Sequence, residues 1–270
     1  MRGLLTRIAL EVRWPVAWFS LGLCLVMSLL TALLPKVLAN MDQMFAKLEM
    51  IKPLLTALLG VDPGEQAPAQ VAQAFLWVHP TVLTLLWAHE TMYCTRCPAG
   101  EVDRGTADFL YCLPVSRWKL FIAETVGWLL SGGLILGAGY AGHLVSSMIL
   151  QPEMRTAFPI TARVMVNLGA VYLAVGGLAF LVSSLSDRRG RAIGVVFGIL
   201  LASFLLNVLA QFVEWAGTIS WLSMLHYYRP AIILQTQAMP STDIGTLSAI
   251  GLITWTAGGI IHHRRRLCTV

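Results

Sequence analysis

Residues 164–185 read VMVNLGAVYLAVGGLAFLVSSL, twenty-two positions without a charged side chain. At a rise of about 1.5 Å per residue, a helix of that length crosses the roughly 30 Å hydrocarbon core of a bilayer. Five further stretches of the same character fall at 14–34, 71–92, 118–150, 192–212 and 244–261. The whole chain agrees with them. Of its 270 residues 57% are hydrophobic and 12% charged, and its mean hydropathy is +0.71. Soluble domains carry about 25% charged residues, so a soluble core of this size could not cover its own apolar surface. The sequence therefore predicts one all-α membrane domain over residues 1–270 with six transmembrane helices.

The stretch at 118–150 is too long for a simple crossing. Its glycines Gly132, Gly133, Gly137, Gly139 and Gly142 predict a bend or a close helix contact, with Gly133 and Gly137 in GxxxG spacing. Six crossings place both termini on one side, and the charges can be tested against that. Arg2, Arg7, Arg13, Arg96, Arg104, Arg117, Lys119, Arg188, Arg189, Arg191, Arg264, Arg265 and Arg266 fall in the inside segments, 13 of the 19 bases. The outside keeps Lys36, Lys47, Lys52, Arg155, Arg163 and Arg229 on longer loops. The positive-inside rule thus predicts both ends in the cytoplasm, with the protein in the cytoplasmic (inner) membrane. The net charge of +5 is spread in these short clusters between apolar runs, which excludes a nucleic-acid patch.

At the N-terminus Leu4, Leu5, Ile8 and Val12 share a helical face away from Arg2, Glu11 and Arg13, predicting an interfacial helix before the first span. Val37-Leu38-Ala39 resembles a signal-peptidase site, but the preceding apolar stretch of about 20 residues exceeds the 7–15 of a signal h-region. Outside, residues 35–70 carry an amphipathic stretch from Met41 to Leu59 and a turn at Val61-Asp62-Pro63-Gly64. Residues 213–243 hold Trp215, Trp221, Tyr227 and Tyr228 with Pro230 and Pro240, predicting short extracytoplasmic helices at headgroup depth before the sixth span.

Catalytic signatures are missing. No GxxxxGK[ST], HExxH, GxSxG or EF-hand pattern occurs, so the sequence offers no nucleotide-binding or catalytic site of its own. Cys94-Thr-Arg-Cys97, with His89 and Glu90 upstream, has metal-ligand spacing, but one CxxC without a second pair is accounted for better by packing. Glu90 and Glu124 fall at the inner ends of the second and third spans, where helix-end solvation is the simpler reading. Asn167, His143, Asn207 and Gln211 lie deeper and either bond across helices or line a path.

The loop between the second and third spans reads PAGEVDRGTADFLYCLPVSRWK, residues 98–119. Pro98 and Gly100 end the preceding span, and Glu101 and Asp103 stand in a new first turn where negative charge suits the helix dipole. Val102, Thr106, Phe109, Leu110 and Leu113 share one face of a short helix that Pro114 stops, and Ser116 caps the third span ahead of Arg117, Trp118 and Lys119. A stiff helix with an apolar stripe, joined to two spans, suits docking into a groove on a soluble partner.

This loop resembles the E-x-x-x-G-T…L-x-x-P-x-S-R signature of ABC-2 type ABC transporter permeases, in Glu101, Gly105, Thr106, Pro114, Ser116 and Arg117. The six spans and the N-terminal helix are similar to that family along the whole chain, although only the loop has motif quality. The resemblance implies a half-transporter that pairs with a second permease copy or homologue and is driven by two ABC ATP-binding subunits, which hold the ATP and Mg. It further implies that Glu101, Asp103, Arg104, Gly105, Thr106, Phe109, Pro114 and Arg117 form or position the ATPase contact in a coupling helix. Such permeases often carry a base about seven positions after the Ser-Arg pair, where this chain has Glu124. A largely apolar interior favours export of a hydrophobic or amphipathic substrate. The rival readings are an ATP-independent carrier, which would carry paired ionisable groups at mid-span, and a membrane assembly factor using Cys94 and Cys97 for metal-centre maturation.

Overall fold

The computed structural model describes residues 2–47 and 68–265, and of residues 37–47, 68–71 and 153 it describes the backbone alone. The amphipathic stretch is therefore described only up to Lys47 and only in its backbone; the rest of it, the turn at 61–64, Lys52, Arg266 and Cys268 lie outside the described residues. Helices make up all the regular structure there. They are α1 (Arg2–Lys47), α2 (Pro68–Val78), α3 (Pro80–Cys94), α4 (Ala99–Asp103), α5 (Ala107–Tyr111), α6 (Arg117–Ser147), α7 (Phe158–Leu185), α8 (Arg189–Leu209), α9 (Glu214–Ile219), α10 (Pro230–Thr236) and α11 (Ser241–Arg264). Short 3₁₀ turns occupy Pro152–Met154, Ser220–Leu222 and Met224–Tyr227. Hydrocarbon offers backbone groups no partners, so internally bonded helices are the expected solution.

Five of these helices are long and apolar enough to cross a membrane, at residues 2–36, 117–147, 158–185, 189–209 and 241–264. The segment expected as a second unbroken crossing at 71–92 is instead two helices. His79 takes extended backbone at ψ 129°, because the ring of Pro80 excludes the helical conformation before it, and its Nδ1 accepts from the Thr81 N–H at 3.3 Å. The separate interfacial helix expected over the first thirteen residues is also corrected. Those residues continue into α1 without a break, and Leu4 and Ile8 face the protein core, so the apolar face is covered by neighbours. The long third segment forms one helix ending at Ser147, and its glycines do not interrupt it.

Packing follows two seams, each between helices running in the same direction. Along α1 and α6, Ile8 meets Gly127, Leu23 meets Gly139, and the Thr31 hydroxyl meets His143 Nδ1 at 2.9 Å. Along α7 and α11, Gly251 sits against the Leu173 backbone and Gly258 against that of Leu181. A third interlock joins the seams: Trp128 of α6 fills the space over Gly176 of α7, while Tyr172 of α7 fills that over Gly132 of α6, with the two rings stacked at 5.2 Å. The contact expected at Gly133 and Gly137 is not made, since both face open space, and Gly132, Gly139 and Gly142 take that role. On α3, His89 lies beside Tyr172 and Glu90 beside Gly176, and Ala99 beyond its end bonds Ser183, so α3 runs parallel to α7. It runs opposite to α1, with Arg96 at Glu11 and His89 at Phe19. It also runs opposite to α8, whose first residue Arg189 reaches the Met92 carbonyl while Phe204 lies beside Leu83. Thus α1, α6 and α8 point one way, and α3, α7 and α11 the other.

At the end away from the loop, Asn167 holds the Tyr227 carbonyl at 3.2 Å and the Arg229 N–H at 3.3 Å, and the Tyr228 hydroxyl bonds the Trp77 carbonyl at 2.9 Å. Asn167 and His143 therefore act between helices, whereas Gln211 is exposed. The α1–α6 seam yields a paired test. A Cβ on Gly142 would meet the Cys24 carbonyl, which is backbone and cannot swing aside, whereas one on Gly137 would meet nothing within 4 Å. Gly142→Ala is expected to cost roughly 1–3 kcal/mol, as overpacking of a filled core does. Gly137→Ala, on the same helix, is expected to be neutral or mildly stabilising; thermal unfolding of the two variants in detergent separates them.

Candidate functional site

The end of the bundle that gathers the start of α1, the end of α3, the starts of α6 and α8 and the end of α11 is built around residues 95–116. Thr95 closes α3 with its N–H on the Thr91 carbonyl at 3.2 Å, and α4 then begins after Pro98. The single helix expected across this loop is corrected to two one-turn helices. Gly105 adopts φ +69°, the left-handed conformation that ends a helix and that side chains resist, so α4 stops there and α5 starts after Thr106. The apolar stripe divides accordingly. Ala107 and Leu110 turn into the bundle, while Phe109 is 80% and Leu113 45% exposed. Ser116 caps α6 by accepting from the Lys119 N–H at 3.3 Å, as its place in the sequence predicts.

Glu101 is the buried centre of this loop, 3% exposed. Its carboxylate accepts from Arg7 on α1 at 2.9 Å, from Arg104 at 3.0 Å, and from the Thr106 hydroxyl. Burial works against its charge, but the Thr106 hydroxyl and the Arg104 and Arg7 guanidiniums outweigh burial and hold the carboxyl below its usual range. Asp103 accepts from the backbone N–H of Arg189 at 3.3 Å, tying the loop to α8. Arg117 lies over the Tyr111 ring at 5.3 Å and donates to the carbonyls of His263 and Arg265, tying the loop to the end of α11. Pro114 and Arg104 are exposed. Of the eight residues singled out in the sequence, Glu101, Thr106, Asp103 and Arg117 thus fasten the loop internally, and Phe109 and Pro114 present an outer surface.

Sequence reasoning missed the charge network behind the loop. Glu11 accepts from Arg7 and from Arg96, each at 2.6 Å, and Arg96 also pairs with Glu124 of α6. Burial disfavours the charge on Arg96, but Glu124 foremost raises its pKa above the ordinary guanidinium value. Helix-end solvation of Glu124 is corrected, since the residue is 6% exposed and ion-paired. Glu90 is likewise wholly buried, against Gly176. The available signal was the cost of an ionisable group in an apolar segment, which demands a partner of opposite charge. Cys94 and Cys97 are buried free thiols; burial pushes the Cys97 thiol up, and its Sγ lies 4.0 Å from the Tyr111 hydroxyl. Among the described residues no group of three or more His, Cys, Asp and Glu side chains could hold a metal ion.

The Glu101 hub has a definite pH signature. A carboxyl whose pKa is lowered by folding contributes stability above the unfolded value and loses it as pH falls through the lowered one. Amides of residues 99–106 are therefore expected to be protected from hydrogen exchange at neutral pH. Glu101→Gln is expected to remove roughly 1.5–3 kcal/mol of that local protection, the range for hydrogen bonds to charged groups. In acid, below the lowered pKa, variant and wild type are expected to converge.

No curated protein and no solved structure matches the chain. A family model described as ABC-2 family transporter protein matches residues 93–258, which takes in the loop, α4 to α10 and most of α11. The match covers more than half of the sequence and includes the segment where α1, α8 and α11 are fastened together, so the chain, a multi-pass membrane protein, belongs to the ABC-2 family of transporter proteins.

Proposed function

We propose that the chain is the transmembrane permease subunit of an ATP-driven ABC transporter, crossing the membrane six times with both termini cytoplasmic, and that residues 98–117 receive force from a separate ATP-binding subunit. The alternation of direction supports six crossings. α1, α6 and α8 run opposite to α3, α7 and α11, which is the order of six successive passes if α2 and α3 together form the second. At about 1.5 Å per residue α3 alone is about 22 Å long, short of a bilayer core, so it requires α2.

The loop's fastening is the observation that carries the reading. Phe109 and Leu113 stand in solvent beside the charged Asp103, Arg104 and Asp108, an apolar point with a charged shoulder suited to a groove on a soluble protein. Behind that surface Glu101, Asp103 and Arg117 lead to α1, α8 and α11. A push on Phe109 is therefore delivered to three long helices together. ATP and Mg belong to two copies of the partner subunit, and a second permease copy completes the passage. An apolar cleft of about 370 Å³ between α3 and α8, walled by Pro80, Leu83, Trp87, Phe197, Leu201 and Phe204, supports export of a hydrophobic or amphipathic substrate.

The test is co-purification with an ATP-binding subunit and ATP turnover by the pair. Phe109→Asp is expected to weaken co-purification at least about tenfold, because an exposed aromatic at the centre of a contact carries a large share of its energy. Arg117→Gln is expected to preserve the complex while lowering substrate-stimulated ATP turnover several-fold, because it loosens the tie to α11. Unchanged association in the first variant and unchanged turnover in the second would remove the coupling assignment.

A further inference from the structure

A cavity of about 490 Å³ opens behind the loop, between α1, α3, α4 and the start of α8. Among the described residues its wall carries four guanidiniums, from Arg7, Arg96, Arg104 and Arg189, but only two carboxylates, Glu11 and Glu101. Those two are already shared. Glu11 serves Arg7 and Arg96, and Glu101 serves Arg7 and Arg104. Arg96 is further neutralised by Glu124 behind the wall. Arg189 is the exception. Its guanidinium donates to the Met92 carbonyl at 2.8 Å, its Nε has no partner, and it forms no ion pair among the described residues. Asp103, which accepts the backbone N–H of Arg189, is exposed and lies outside the wall. Arg104 uses one of its donors, on Glu101.

We infer that this cavity is a binding site for a phosphate-bearing anion, held between Arg189 and Arg104 with Arg7 behind. A guanidinium presents paired N–H donors that match two phosphate oxygens, and a partly desolvated cluster of such forks with too few carboxylates is short of anionic charge. The same cavity has an apolar inner surface in Val12, Pro15, Val16 and Met92. Val12 and Val16 also line a second groove of about 690 Å³ between α1 and α6, which runs on past Leu134 to Ala138 and is nearly all apolar. A phosphate head beside an apolar run fits the headgroup of an acidic phospholipid; inorganic phosphate offers the same chemistry without the chain. The site does not depend on the transport reading above, because its recognition is complete within this chain and needs no nucleotide or partner subunit.

The experiment uses the full-length chain in detergent, stripped of lipid, with unfolding followed through the fluorescence of its nine tryptophans. Short-chain phosphatidylglycerol, phosphatidylcholine of the same chain length, and inorganic phosphate are titrated separately. Phosphatidylglycerol is expected to raise Tm saturably at concentrations where phosphatidylcholine does not. A saturable rise with inorganic phosphate alone supports the site and identifies free phosphate as a sufficient ligand; a rise confined to the lipid supports it and identifies the headgroup. Arg189→Gln and Arg104→Gln are each expected to weaken the apparent affinity at least tenfold, and Arg189→Lys, which keeps the charge but loses the fork, less so. Arg104 is exposed, so its variant keeps the test open if Arg189→Gln fails to fold. Equal response to phosphatidylcholine, no response to either phosphate source, or unaltered affinity in both glutamine variants overturns the inference.

Discussion

A carboxylate withdrawn from water destabilises a fold unless charge and hydrogen bonds meet it there, and Glu101 is such a group. Its partners come from two places far apart in sequence, Arg7 on the first helix and Arg104 with Thr106 in its own loop. The carboxylate can stay charged only while both are in position. That requirement sets the beginning of α1 against the loop, and through Glu11 and Arg96 against α6 as well. The non-helical parts of this end are thus held by ionic contacts, whereas the middle of the bundle is held by shape.

In that middle the large side chains are matched to missing ones. Trp128 over Gly176 and Tyr172 over Gly132 let α6 and α7 exchange a ring for a hydrogen in both directions. Lipid tails give apolar helices no hydrophobic reason to associate, so close van der Waals contact and hydrogen bonds across the seams must do so. Here the aromatic pair also carries the Tyr172 hydroxyl to the Trp128 carbonyl and to His89, each at 3.3 Å, which brings α3 into the same contact. The two regimes meet at Glu124, a charged residue one helical turn from Trp128.

Much of this was legible in the sequence, and the failures share a cause. Uncharged length gave five of the long helices, though α1 and α7 begin well before the expected 14 and 164, and Ser116 gave the start of α6, because those signals are local. The break at His79–Pro80 was local too, and was overridden by hydropathy averaged across it. Gly105 likewise carried the signal for the end of α4, but an apolar periodicity read through it. Which glycines of α6 face α1 depends on the partner helix, so Gly139 and Gly142 could not be told from Gly133 and Gly137. Phe109, Glu101 and Thr106 were singled out from the loop's pattern; the structure leaves Phe109 exposed and encloses Glu101. The network of Arg7, Glu11, Arg96 and Glu124 joins positions up to 117 apart in the chain, and no pattern within one segment reveals it.

The two same-direction seams join helices that are not neighbours in the sequence. α1 finds its partner only when residues beyond Gly142 exist, and α7 only when Gly251 and Gly258 do. During synthesis, therefore, the first helix must reside in the bilayer without its mate while more than a hundred residues are added. A chain released before α11 would retain α7 with a small-residue face that meets acyl chains. Seating of α7 is thus a late event in translation, decided by α11.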